Sequence, residues 1–269
     1  MKKMCYDELD ISRLRRAVEG REESMKTTKG LNAKKTEARE YQTGASGIFF
    51  TVKDVLYEGQ SKFQRIEIIR NKDYGRVLLL DGLVQTTERD EFYYHEMLVH
   101  PALCSHARPA KVLIIGGGDG GALREVLKHP VRKAWLVEID GHVVEACREH
   151  FPWLRATFRD PRAELIVADG NVFIDKVRER FDVILVDSSD PVGPSTVLHQ
   201  EAFYRKLKAK LNPRKPANTQ RLKNSSANAL KLNDLVNFLL TVVFTSKLDF
   251  PRDDPSIFVM SANRASRIR

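Results

Sequence analysis

Cysteine is scarce in this chain: Cys5, Cys104 and Cys147 are the only three in 269 residues, and they are scattered. An odd, dispersed set gives neither a disulfide framework nor metal-ligand spacing, and it fits a reducing compartment, so a cytoplasmic location is expected. Long apolar runs are missing as well. The longest, Leu235 to Phe244, is half of the roughly 20 residues that a membrane helix needs. The N-terminus lacks the apolar segment of a secretory signal. Glycine disappears after Gly193 and tyrosine after Tyr204.

Charge of one sign is unevenly spread. The net charge is +9, but residues 1–45 carry +3, residues 46–204 carry −4 and residues 205–269 carry +10. The central part is therefore acidic. That argues against a nucleic-acid enzyme, which surrounds its site with basic surface, and for a cationic small-molecule substrate. The basic tail is read as a solvated polar segment.

Four regions are expected. Residues 1–45 form an N-terminal arm, read as a short helix or two or as a mobile segment. Residues 46–90 form a β-hairpin domain, residues 91–213 a Rossmann-like α/β domain, and residues 214–269 a separate C-terminal segment. In the second region, β-rich runs at Ile48–Val52, Val55–Tyr57, Phe63–Ile69 and Gly75–Leu80 alternate with turn signals such as Asp81-Gly82. Asp90 to His100 reads as a helix. Strands are then predicted at 111–115, 134–138, 163–167 and 182–186, with helices at 121–129, 141–150, 170–178 and 199–210. That alternation means a parallel sheet covered on both faces, with ligands at the carboxyl ends of its strands.

The run Val112-Leu113-Ile114-Ile115-Gly116-Gly117-Gly118-Asp119-Gly120-Gly121 is the strongest motif. A buried strand ends in a glycine turn and a helix follows, which lets a ligand approach the main chain. Glu138 ends the next strand, where an acid holds the two hydroxyls of a ribose. Asp119 inside the turn repels a phosphate and attracts an amine, which disfavours NAD. Asp119, Glu138, Asp169 and Asp187 each follow one of the four strands, placing four carboxylates on one rim. The segment Asp187-Ser188-Ser189-Asp190-Pro191-Val192-Gly193-Pro194 reads as a turn, or as two carboxylates that hold an ammonium and take its proton.

Taken together, Leu80 to Phe92, Tyr94-His95-Glu96-Met97, Ile114 to Gly121, Val137-Glu138-Ile139-Asp140, Asp169-Gly170 and Asp187 to Pro194 resemble the polyamine aminopropyltransferase (spermidine synthase) family. The resemblance runs from about Phe50 to about Pro213. It implies a Rossmann-like α/β fold of the S-adenosylmethionine-methyltransferase type, with a small N-terminal antiparallel β domain. It also implies a reaction. The aminopropyl group of decarboxylated S-adenosylmethionine passes to putrescine, giving spermidine and methylthioadenosine, with no metal or other cofactor. By position in the family motifs, Gln64, Asp119, Glu138, Asp169, Gly170 and Pro194 resemble donor ligands. Gln85, Tyr94, His95, Asp187 and Asp190 resemble polyamine ligands, and Asp187 the proton acceptor. A homodimer built on the early hairpins is implied.

Plainer readings stand beside these. Tyr94 and Gln85 suit packing or a hairpin, His95 a structural hydrogen bond, Glu91 and Glu96 a solvated helix face, and Trp135 and Trp153 core or surface filler. Two other functions remain open: an S-adenosylmethionine-dependent methyltransferase, since the sheet and glycine turn serve that class too, and a non-catalytic family member with a binding role. After Pro213 the chain departs from the family pattern, and the late family tyrosine that helps bind the acceptor has no counterpart. An altered reading frame, a divergent completion of the sheet with Leu235 to Thr245 as a core helix, and a degenerate relative are three readings of that tail.

Overall fold

Strand and helix alternate from Lys111 onward, as the spacing predicts. In the computed structural model, which describes residues 35–41, 45–189, 193–213 and 257–261, β7 (Lys111–Gly116), β8 (Lys133–Glu138), β9 (Ala163–Val167), β10 (Val183–Ser188) and β11 (Ile257–Ser261) form one parallel sheet. Its strand order is β11-β10-β7-β8-β9. The chain moves outward from β7 through β8 to β9, then returns to lay β10 on the other side of β7. The order therefore reverses between β7 and β10, the place in such sheets where a crevice opens for a ligand.

Period-two side-chain alternation explains why helices cover both faces. Val112 and Ile114 point to one side, where they pack with Leu98, Ala102, Leu123 and Val126. Those residues belong to α1 (Glu91–Cys104) and α2 (Gly121–Leu127). Leu113 and Ile115 point to the other side, against Phe173, Ile174, Phe203 and Leu207. These come from α4 (Gly170–Lys176) and α5 (Glu201–Lys210). Trp135 lies in that second layer, edge-on to Phe181 at 5.4 Å, as a core residue.

Residues 54–87 form an antiparallel sheet of β3 (Asp54–Gln60), β4 (Arg65–Asn71), β5 (Gly75–Leu80) and β6 (Leu83–Thr87). One face packs Ile66, Ile68 and Leu78 on Val143, Ala146 and Cys147 of α3 (Gly141–His150). The opposite face packs Ile69, Val77 and Leu79 with Ala38 and Phe50. Those two come from an antiparallel pair, β1 (Glu37–Tyr41) and β2 (Gly47–Thr51). The end of the segment read as an arm is thus a strand: charged residues alternate with Ala38 and Glu40, whose side chains are the buried ones. Leu83–Thr87 is also a strand that turn signals alone did not delimit.

Leu235 to Thr245 lie outside the described residues. Ile257–Ser261 runs parallel to β10, in register from Ile184↔Ile257 to Ser188↔Ser261. Among the described residues no helix is long and apolar enough to cross a membrane.

Candidate active site

The glycine turn after β7 and the end of β10 meet at the strand-order reversal. Gly116 is the register partner of Asp187. The turn is tight enough that a side chain on Gly117 would strike the Asp187 carboxylate, with Oδ2 2.6 Å from its Cβ position. Asp187 is buried there. Its Oδ1 accepts a hydrogen bond from the Tyr94 hydroxyl at 2.8 Å. Its Oδ2 is buried with no hydrogen-bond partner among the described residues. Burial lifts this carboxyl; His95 and the Tyr94 hydroxyl pull it down, Asp119 pushes it up, and it settles at about 6.

Asp119 is buried on the same turn. Its Oδ1 accepts the Gly121 N–H at 2.8 Å, and its Oδ2 accepts the Thr86 hydroxyl. His95 Nε2 lies 3.5 Å from that Oδ2. Burial opposes the Asp119 charge, but His95, Thr86 and the Gly121 N–H outweigh it and hold the carboxyl well below the usual carboxylate range. His95 is the converse: burial works against a charged imidazole, yet Asp119, Glu91 and Asp187 carry it up to about 10. His95, Asp119 and Asp187 bring ligand-type atoms within 4.8 Å of one another. An imidazole held in its charged form thus lies beside two buried carboxylates.

Glu138, at the end of β8, accepts the Asp140 N–H at 2.9 Å and the Gly118 N–H at 3.2 Å. Burial lifts it to about 7 against those two hydrogen bonds. Asp140 caps α3 through the His142 N–H, and its Oδ2 accepts from Ser61 Oγ at 2.6 Å and Gln64 Nε2 at 3.0 Å. Gln64 therefore ties the turn before β4 to Asp140, whose N–H is bonded by Glu138. Asp169 is exposed and caps α4, accepting the Asn171 and Val172 N–H groups at Oδ1. Gly170 is buried, where a side chain would meet Ile115. Gln85 is the extra residue of a bulge: Leu78 pairs with Thr86 and Leu79 with Val84. Such bulges re-aim side chains, and here Thr86 is aimed at Asp119.

The structure thus brings Tyr94, His95, Asp119, Glu138 and Asp187 around one turn, with Gln64 one residue behind through Asp140. Asp190 lies outside the described residues, and Pro194 falls in the 3-10 turn Gly193–His199. His199 Nε2 lies 3.2 Å from the Ser189 carbonyl oxygen. Glu91 corrects the sequence reading. It is not on a solvated face but buried, bonded to His95 and Arg124, and Trp153 donates to it. The signal was present in the helical spacing: Glu91, His95, Leu98 and Ala102 form the buried stripe of α1. Thr86 and Asp140 were also overlooked, although both lie inside the motifs singled out.

Comparison with known proteins places the chain in a family. A spermidine synthase tetramerisation domain matches residues 38–88, and a spermine/spermidine synthase domain matches residues 91–237, well past Pro213. The polyamine aminopropyltransferase of Thermococcus onnurineus is 49% identical over 184 residues, 68% of this chain and 65% of that protein. The Thermotoga maritima protein of the same name is 52% identical over 169 residues, 62% of this chain and 57% of that protein. The chain thus spans less than two thirds of the length of these relatives. A crystal structure of a spermidine synthase with the transition-state analogue AdoDATO superposes with a TM-score of 0.64 at 48% identity, covering 67% of this chain and 63% of that one. Because the larger of the two family domains alone accounts for more than half of the residues, this chain belongs to the spermine/spermidine synthase family.

Proposed function

We propose that this chain is an aminopropyltransferase that moves the aminopropyl group of decarboxylated S-adenosylmethionine to a diamine, most simply putrescine, giving spermidine and methylthioadenosine. The observation that carries the reading is the buried Asp187 oxygen, without a partner among the described residues, beside the glycine turn at the strand-order reversal. An unpaired buried carboxylate oxygen is costly, and an incoming ammonium would satisfy it. In this reading Glu138 holds the ribose hydroxyls and Asp119 the donor's amine. Gln64, Asp169, Gly170 and Pro194 line the nucleoside. Tyr94, His95, Gln85, Asp187 and Asp190 line the acceptor channel.

The step needs no redox partner. The acceptor amine gives its proton to Asp187, and its nitrogen lone pair attacks the propyl carbon next to the sulfonium. The C–S bond breaks with its electron pair going to sulfur, which leaves as the neutral thioether. The protein's share is alignment and proton removal.

Asp187 works as a base only when ionised. Because its carboxyl is lifted to about 6, turnover at saturating substrates should fall as pH drops through about 6. Glu138 sits at about 7, so affinity for methylthioadenosine should begin to weaken at a higher pH than turnover does. Rate and affinity profiles that coincide would contradict this assignment. The activity itself is tested by incubating the protein with decarboxylated S-adenosylmethionine and a panel of amines while following methylthioadenosine release. Release with putrescine is expected; preferred binding of intact S-adenosylmethionine would favour methyl transfer instead.

The reading includes self-association through the N-terminal strands, as a homodimer or a larger oligomer. Tyr41 and Phe49 of the β1–β2 pair are 71% and 64% exposed, an apolar surface suited to a second copy. The tetramerisation-domain match covers those strands.

A further inference from the structure

Glu91 has no part in the reading above, yet it stands directly behind the site. It opens α1 with a side chain only 4% exposed, and its Oε2 lies 2.6 Å from His95 Nδ1 one helical turn on. Arg124 of α2 grips both oxygens, with Nη2 at 2.9 Å from Oε2 and Nη1 on Oε1. Trp153 Nε1 donates to Oε1 at 3.3 Å. His95 is enclosed in turn. The Tyr94 ring stands edge-on to it at 5.2 Å, and a side chain on Gly121 would fall 2.2 Å from its Cε1. The charged groups that face the imidazole are Glu91 from its own helix, Asp119 from the glycine turn and Asp187 from the end of β10, with Arg124 behind Glu91.

We propose that Glu91, locked by Arg124, is a positioning residue that keeps His95 protonated on both ring nitrogens, so that His95 fixes Asp119 and leaves Asp187 ionised. This rests on the reading of Asp187 as the proton acceptor. The argument is electrostatic. A fully buried imidazole holds its second proton only while each N–H has an anionic acceptor, and Glu91 is the acceptor at Nδ1. With a neutral His95, Asp119 and Asp187 would face each other with no fixed cation between them. Neighbouring carboxylates in that state share a proton, and the acceptor would be blocked at neutral pH.

Glu91→Gln keeps the volume and an oxygen for Nδ1 but removes the charge. In labelled protein, NMR titration of His95 should show wild-type imidazole still protonated above pH 9, and in E91Q a transition lowered by about three pH units, into the neutral range. The acid limb of methylthioadenosine release should move up by about one pH unit in E91Q, and Glu91→Asp should move it back toward wild type. Loss of stability alone would reduce amplitude without moving the limb. Should E91Q fold poorly because Arg124 keeps only Glu125 as a carboxylate partner, the double variant E91Q/R124Q carries the same titration. A His95 transition unchanged by removal of the Glu91 charge overturns the proposal. If wild-type protein releases no methylthioadenosine with any amine, the Asp187 reading falls, and the His95 titration still decides the role of Glu91.

Discussion

Asp187→Asn is expected to cut turnover by about 10²- to 10⁴-fold, the usual worth of a positioned general base, while leaving methylthioadenosine affinity within the error of the measurement. The reason is local. Asn keeps an oxygen for the Tyr94 hydroxyl, so Tyr94 stays in place, but the amide has no affinity for a proton. The same change should not weaken the fold. The Asp187 carboxyl rises from an ordinary 3.8 to about 6 on folding, so the folded state disfavours its charge. A raised carboxyl contributes stability only below its unfolded value and loses that contribution as pH rises through the folded one. At pH 8 the charged group is therefore a net cost, of up to about 3 kcal/mol at 1.36 kcal/mol per pH unit. Asp187→Asn should thus melt at the same temperature as wild type or higher at pH 8, and the difference should vanish near pH 4. Stability set aside for activity is what a site holding an unsatisfied carboxylate implies. An inactive variant with a lower melting temperature at pH 8 would mean that Asp187 is structural, and undiminished turnover would mean that the base lies elsewhere.

How much of this was legible in the sequence depends on the range of the interactions involved. The parallel sheet and its helices were readable because period-two and period-3.6 patterns are local, and Val112 to Ile115 carry both faces in four residues. The four carboxylates were readable because each lies at or just after the end of a strand. What they bond to was not. Asp119 was read as free for an amine, yet it is tied to Thr86 across 33 residues, and only the bulge at Gln85 explains why Thr86 faces it. Gln64 was placed by resemblance, but its partner Asp140 lies 76 residues away. Glu91 was misjudged because a charged residue on an amphipathic helix is usually solvated. Burial became tolerable only through Arg124, supplied by another helix. Long-range polar pairing leaves no periodic trace, so the residues behind the site were the ones the sequence concealed.

Gly116→Ala should be among the most damaging single substitutions in the chain, with a loss on the order of 4 kcal/mol, against the total of about 5–15 kcal/mol that holds a domain together. Two costs combine. Gly116 has φ +82°, a left-handed conformation that costs an L side chain about 1–2 kcal/mol. A Cβ there would also fall 1.9 Å from the Asp187 carbonyl oxygen. That neighbour is backbone, so no rotamer relieves the contact; β7 and β10 would have to part where they are register partners. Gly82→Ala separates the two terms. Gly82 has the same φ of +82° but nothing within 4 Å of its Cβ position, so only the backbone cost of about 1–2 kcal/mol applies. Urea denaturation of both variants checks this, and equal losses would sink the steric argument. The close approach also has a consequence for the chemistry. Only an unsubstituted turn lets β7 and β10 meet tightly enough to bury the Asp187 carboxylate against Gly117, and that burial is what raises its proton affinity. Any Gly116→Ala protein that remains folded should therefore have its acid limb shifted toward the value of an exposed aspartate, with turnover reduced to match.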